Sequence, residues 1–134
     1  MNVRGIKSKI KDLISLTKEN KIDVLVLSET KLSEKENRKI EGYKNHRLSR
    51  LTRAGGVAIY YRKDLDCKIV KKNKECETLW VKVGGREKEI IIGGIYTPCE
   101  ESVSKANISN FVRELEKDLV EIRENVSQNI LTLT

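Results

Sequence analysis

The chain has 134 residues, 38% of them hydrophobic and 35% charged, which fits one globular domain with a real core and excludes a disordered chain. Aromatic residues are only 4%, so that core must be mostly aliphatic. The net charge of +7 favours an anionic partner, and nucleic acid rather than a membrane, because no segment is long or apolar enough to span one.

The start, M-N-V-R-G-I-K, lacks the apolar core of a signal peptide, so an intracellular location is expected. Cys67, Cys76 and Cys99 are odd in number and lack C-x-x-C spacing. They read as reduced thiols, with neither a zinc site nor a disulfide framework. Asn2 to Gly5 reads like the end of a strand turning into a loop. From Ile6 the apolar residues fall at Ile6, Ile10, Leu13 and Ile14, the pattern of an amphipathic helix ending near Asn20.

The stretch from Ile22 to Lys31, I-D-V-L-V-L-S-E-T-K, organises the chain. Val24 to Leu27 is a continuous apolar run, the signature of a strand buried on both faces of a sheet. It stops at Ser28-Glu29-Thr30-Lys31, setting a carboxylate and an ammonium where α/β sheets bind ligands, outside the carboxyl end of a strand. Ser33 to Ile40 is charged and reads as a short helix.

From Tyr43 onward the chain reads as short strands. His46 to Arg53 carries Arg47, Arg50 and Arg53, and Gly55-Gly56 breaks it. Val57 to Tyr61 is a clear strand signal, and Cys67 to Val70 a weaker one followed by Lys71, Lys72 and Lys74. Leu79 to Val83 and Glu89 to Tyr96 read as a hairpin turning at Gly84-Gly85, with Pro98 ending the second strand. Ser102 or Ser104 is placed to cap a last helix with apolar positions Ile108, Phe111, Leu115, Leu119, Ile122 and Val126. Asn129 to Thr134 begins another strand. Neither repeats nor a linker divide the chain, so one domain spanning 1–134 is expected.

Four pieces taken together resemble the endonuclease/exonuclease/phosphatase superfamily: N-V-R-G-I at Asn2 to Ile6, S-E-T-K at Ser28 to Lys31, G-G-V-A-I-Y-Y at Gly55 to Tyr61, and G-G-I-Y-T-P at Gly93 to Pro98. Their order and spacing are similar to those of apurinic/apyrimidinic endonucleases, and closest in character to the endonuclease domains of non-LTR retrotransposons. The resemblance implies an α/β fold, the DNase I-like sandwich of two sheets flanked by helices. It also implies cleavage of phosphoester bonds in DNA with Mg²⁺ or Mn²⁺, with the nucleus as one location. Glu29 then matches the metal-binding carboxylate, and the hardness of Mg²⁺ agrees with a carboxylate ligand. Asn2 matches the asparagine that organises the metal and phosphate region, Tyr96 the tyrosine whose hydroxyl contacts phosphate, and Lys31 the lysine that follows the glutamate.

The departures are equally specific. Only Met1 stands where the family has a strand before the asparagine. The Gly-Asp-x-Asn motif and the terminal Asp-His pair have no counterpart. By resemblance the chain corresponds to the N-terminal half of such a domain, truncated at both ends and catalytically incomplete. The alternative is a non-catalytic basic module that binds nucleic acid or a protein partner. Glu77 reads as a solvated edge residue and His46 as an ordinary surface residue. The basic residues from Arg47 to Lys74 could equally track a phosphate backbone or form a solvated surface.

Overall fold

The computed structural model describes residues 1, 3–31, 37–49, 55–74, 77–84, 88–96 and 112–124. The chain divides into two compact units, Met1–Thr97 and Pro98–Thr134. In the first, helix α1 (Ile10–Asn20) is followed by β1 (Val24–Ser28), β2 (Tyr43–Leu48), β3 (Val57–Arg62), β4 (Asp66–Asn73), β5 (Thr78–Gly84) and β6 (Glu89–Ile95).

Helix α1 starts later than the apolar spacing predicts. Arg4 and Gly5 have positive φ (47° and 105°), so the chain turns before the helix begins. Ile6 is nonetheless fully buried, and the apolar stripe outruns the helix that carries it. The helix ends on Lys21 in the left-handed conformation, a position glycine usually takes. Thr17, buried on its inner face, donates its hydroxyl to the Ile14 carbonyl at 2.8 Å, which meets the cost of enclosing a polar group.

Among the described residues there are two three-stranded antiparallel sheets, ordered β1-β3-β2 and β4-β5-β6. Side chains alternate across the first sheet as strand geometry requires. Leu25, Leu27, Ala58 and Tyr60 face Leu13, Ile6 and Val3 on one side. Leu48, Val57, Ile59 and Tyr61 face Cys67, Leu79 and Val81 of the second sheet on the other, where Val24 and Val26 join them. The architecture is the α/β two-sheet sandwich expected from the resemblance, and β1 is buried on both faces as its sequence reads. A buried aliphatic side chain of this kind stabilises by about 1.5–3 kcal/mol, so the central strands carry most of the fold.

The edge of β1 away from β3 is covered, against the expectation of a missing first strand. The Met1 ammonium donates to the Val26 carbonyl at 2.9 Å. Ser28 N donates to Met1 O at 2.8 Å, and Val3 N to Ser28 O at 3.0 Å. These staggered bonds run the first residues parallel to β1.

Several local readings change. Residues 37–40 are not helical, and 32–36 lie outside the described residues. β4 extends to Asn73, taking in Lys71 and Lys72, because pairing with β5 outweighs the weak propensity of a lysine run. Gly84 pairs with Glu89, so the hairpin link is 85–88 rather than a two-residue turn, and 85–87 lie outside the described residues.

The second unit contributes a helix, α2, over residues 112–124. Leu119 and Val120 are exposed, whereas Asp118 and Ile122 are buried and Leu115 half-buried. The inward line is therefore Leu115, Asp118, Ile122, and Leu119 falls about 100° away from Asp118 around the axis. The buried line differs by one position from the apolar stripe that the sequence predicts. Ser102, Ser104, Ile108, Phe111, Val126 and the strand read at Asn129 to Thr134 lie outside the described residues.

Candidate functional site

Glu29 follows the last residue of β1, and both it and Lys31 are held in the left-handed region, at φ 59° and 54°. For residues with a Cβ this conformation costs about 1–2 kcal/mol each, and the surroundings must hold them there. Hydrogen bonds do so from two sides. Gly5 N donates to Glu29 O at 2.8 Å and Ile6 N to Thr30 O at 3.0 Å. From the other side, Lys31 N donates to Gly55 O at 2.8 Å and Thr30 N to Gly56 O at 3.4 Å.

Thr30 is buried between the two exposed-side neighbours and anchors the segment. A Cβ on Gly56 would stand 2.6 Å from its Oγ1, and Gly55 and Gly56 both have positive φ (84° and 97°). The paired glycines thus let the start of β3 close on the end of β1, a role visible in sequence only as a break before a strand.

The result is a strand end that presents two charged side chains. Glu29 keeps 23% of its side chain exposed and Lys31 45%, with Nζ 3.8 Å from Oε1. Such an exposed pair contributes little stability. The stem of Lys31 runs beside Gly5, where an added Cβ would lie 3.6 Å from its Cδ.

Tyr96 leaves β6 at the same end of the sandwich. Gly94 faces Val57 and Val26, with an added Cβ only 2.5 Å and 3.1 Å from their Cγ1 atoms. Val57 pairs with Ser28, so Tyr96, two residues beyond Gly94, and Glu29, one beyond Ser28, lie toward the same end of the sandwich. Tyr96 is half-buried against the core between the sheets, and its N–H donates to Glu77 O at 3.1 Å. Asn2 lies outside the described residues, so its placement beside Glu29 and Tyr96 is not part of this geometry.

Glu77 departs from its expected place. It is 5% exposed, not a solvated edge residue, and its φ is 48°. The available signal is its position before the apolar run Thr78 to Val81: the residue next to a buried strand start, bonded to Tyr96, is drawn inside with it.

His46 is likewise no ordinary surface residue. Its ring stacks on Tyr61 with centroids 5.2 Å apart, and Nε2 lies 3.0 Å from the Cys67 carbonyl. It ties β2 to β4 across the two sheets. Cys67 is a free, buried thiol whose pKa is pushed up by burial and then by the neighbouring Asp66 charge. Cys76 and Cys99 lie outside the described residues.

At the outer end of this region a groove opens between β2 and β4, lined by Arg47, Lys72 and Lys74 among others. Burial raises the pKa of Tyr60, an effect that the Arg47 charge offsets only in part. Among the described residues no three His, Cys, Asp or Glu side chains gather as a metal-binding group, and no helix is long and apolar enough to cross a membrane.

Residues 1–115 match the family described as Endonuclease/Exonuclease/phosphatase. Compared with individual curated proteins, the chain gives no match.

Proposed function

We propose a function for this chain, which belongs to the Endonuclease/Exonuclease/phosphatase family, as a divalent-metal-dependent endonuclease-type phosphodiesterase domain acting on DNA, of the non-LTR retrotransposon kind. The family places it among nuclease, phosphodiesterase and phosphatase domains. The finer reading draws on the motif resemblance and, above all, on one observation: Glu29 and Lys31 are fixed in strained conformations by backbone bonds from both sides. Strain of that kind persists where a site needs its groups held in place.

The residues fit a hard divalent ion of the Mg²⁺ type. Such an ion keeps several waters and is held by one or two carboxylates plus substrate phosphate, so the lone partly exposed carboxylate of Glu29 suffices as its protein anchor. When bound, the ion supplies Lewis-acid polarisation of a phosphoryl oxygen. Glu29 would hold it, with Asn2 as the resemblance assigns. Lys31, on a stem braced by Gly5, would donate to a phosphate oxygen as a point charge. Tyr96 would donate its hydroxyl to the same phosphate from the neighbouring sheet end. A DNA substrate accords with the net charge of +7 and with nuclear or other intracellular nucleic acid as the partner.

The test is metal binding followed by NMR line broadening with Mn²⁺, comparing the chain with Glu29→Gln. Broadening centred on residues 28–31, with roughly millimolar affinity for so few protein ligands, supports the reading. Broadening that persists unchanged in Glu29→Gln removes Glu29 from the site and leaves the chain as a non-catalytic basic module.

A further inference from the structure

Two edge strands from different sheets bring their cations to one groove. Arg47 comes from β2, and Lys72 and Lys74 come from β4 and the residue after its end, with His46, Asn45 and Asn37 completing the wall. Asn45 Nδ2 donates to Asn37 Oδ1 at 3.0 Å, which fixes that rim. No carboxylate is among the described residues that line it.

The lysines reach the groove because β4 is irregular. Ile69 pairs with Val81 and Lys71 with Trp80, so Val70 is an extra residue. Unbroken alternation from Ile69 would turn Lys72 and Lys74 to the outer face of the sheet. The bulge resets the phase instead. Lys72 now pairs with Leu79, whose side chain lies in the core between the sheets, and Lys74 follows two residues on. Edge lysines are a common guard against edge-to-edge pairing, but that need is met within one sheet. It does not explain why the same groove is also lined by Arg47 of the other sheet.

The groove is also correctly spaced from the candidate site. Leu48 at the end of β2 pairs with Val57, and Val57 pairs with Ser28. Two strand spacings, about 10 Å, therefore separate β2 at the groove from the end of β1, more than one phosphate-to-phosphate step along a nucleic-acid strand. A small phosphomonoester cannot reach both places, whereas one nucleic-acid strand can.

We propose that this groove is a second phosphate site, holding backbone phosphates of a DNA strand that continues to Glu29. The proposal rests on the reading of the Glu29 end as a phosphoester site. The lysines supply point charges for phosphate oxygens, Arg47 adds positive charge at the groove wall, and the asparagine amides supply neutral donors. Such contacts position a strand without reading its sequence.

The experiment is fluorescence anisotropy of a labelled 20-base-pair DNA duplex with the full 134-residue chain, in EDTA so that no metal takes part. The double variant K72Q/K74Q is compared with K72R/K74R and with the unchanged chain, and thermal unfolding checks that all three fold. K72Q/K74Q is expected to bind about tenfold or more weakly at low salt, with the slope of log K against log salt reduced by about 2, one unit per lost phosphate contact. K72R/K74R should restore both. Unchanged affinity and slope in K72Q/K74Q, equal displacement of the DNA by poly-glutamate, or no DNA binding by the unchanged chain would each overturn the proposal. Mn²⁺ broadening at residues 28–31 reports separately: its loss in Glu29→Gln alongside an indifferent K72Q/K74Q would sink the groove and leave the metal site. Groove-dependent DNA binding with broadening indifferent to Glu29→Gln would do the reverse.

Discussion

Thr30 Oγ1 stands 2.6 Å from the point where a side chain on Gly56 would begin, so the buried threonine and the glycine share one space with no room for a methyl group. Gly56 also has φ +97°, a conformation that residues with a Cβ rarely adopt. Gly56→Ala should therefore destabilise by about 2–4 kcal/mol, combining overpacking with backbone strain. Urea unfolding measures it, and Gly56→Ala combined with Thr30→Gly should recover part of the steric share. A change below about 0.5 kcal/mol would show that the contact yields.

Glu29 is strained and Glu29→Gly should show it. The replacement relieves a left-handed conformation worth about 1–2 kcal/mol and loses only an exposed, weak ion pair with Lys31. Glycine's greater freedom when unfolded takes back about 0.5–1 kcal/mol. The expected outcome is a variant at least as stable as the parent that no longer binds Mn²⁺, read by thermal unfolding and line broadening together. A marked loss of stability would mean that Glu29 serves the fold.

Gly94 keeps the two sheets close. A valine there would place its Cβ 2.5 Å from Val57 Cγ1, forcing the sheets apart at a cost of about 1–3 kcal/mol or more. Because Tyr96 follows two residues later, Gly94→Val should also shift the Tyr96 ring resonances in NMR spectra. Stability and resonances both unchanged would contradict the close packing.

Alkaline pH should unfold the chain earlier than neutral pH. Burial raises the pKa of Cys67, Tyr60 and Tyr61, and the Asp66 charge adds to it for Cys67 and Tyr61. Groups with raised folded pKa values leave stability intact below their unfolded values and remove it as pH climbs toward the folded ones. The decline should begin above about pH 8.5, where an unfolded cysteine starts to ionise, and steepen above about 10 with the tyrosines. Cys67→Ala should flatten the first part of that decline in denaturation curves taken from pH 7 to 11.

Much of the fold is legible in the residues. Val24 to Leu27 announces a strand with two buried faces, and Leu79 to Val83 with Glu89 to Tyr96 announces a hairpin, because burial imprints a period on the sequence. The exit of Glu29 and Lys31 from the first strand is equally plain. The rest depends on partners distant in the chain. Asp118 is buried while Leu119 is not, which the helix's own apolar count does not foretell. Glu77 goes inside with Thr78, and His46 finds Tyr61 and the Cys67 carbonyl twenty-one residues away. The left-handed turns at Glu29 and Lys31 leave no trace either, since neither residue type favours that conformation.

The extra residue in β4 bears on how the chain tolerates changes of length. A strand that alternates strictly has no tolerance: removing one residue swaps inside for outside from that point on. Val70 is slack in the strand. Its deletion would leave Ile69 opposite Val81 and Lys71 opposite Trp80 in ordinary alternation, with both following lysines still turned to the same side. Losing Val81 from β5 has no such cushion, since Trp80 and Leu79 would trade places across the sheet. Single-residue deletions in this molecule should therefore be absorbed at one edge position and ruinous one strand away.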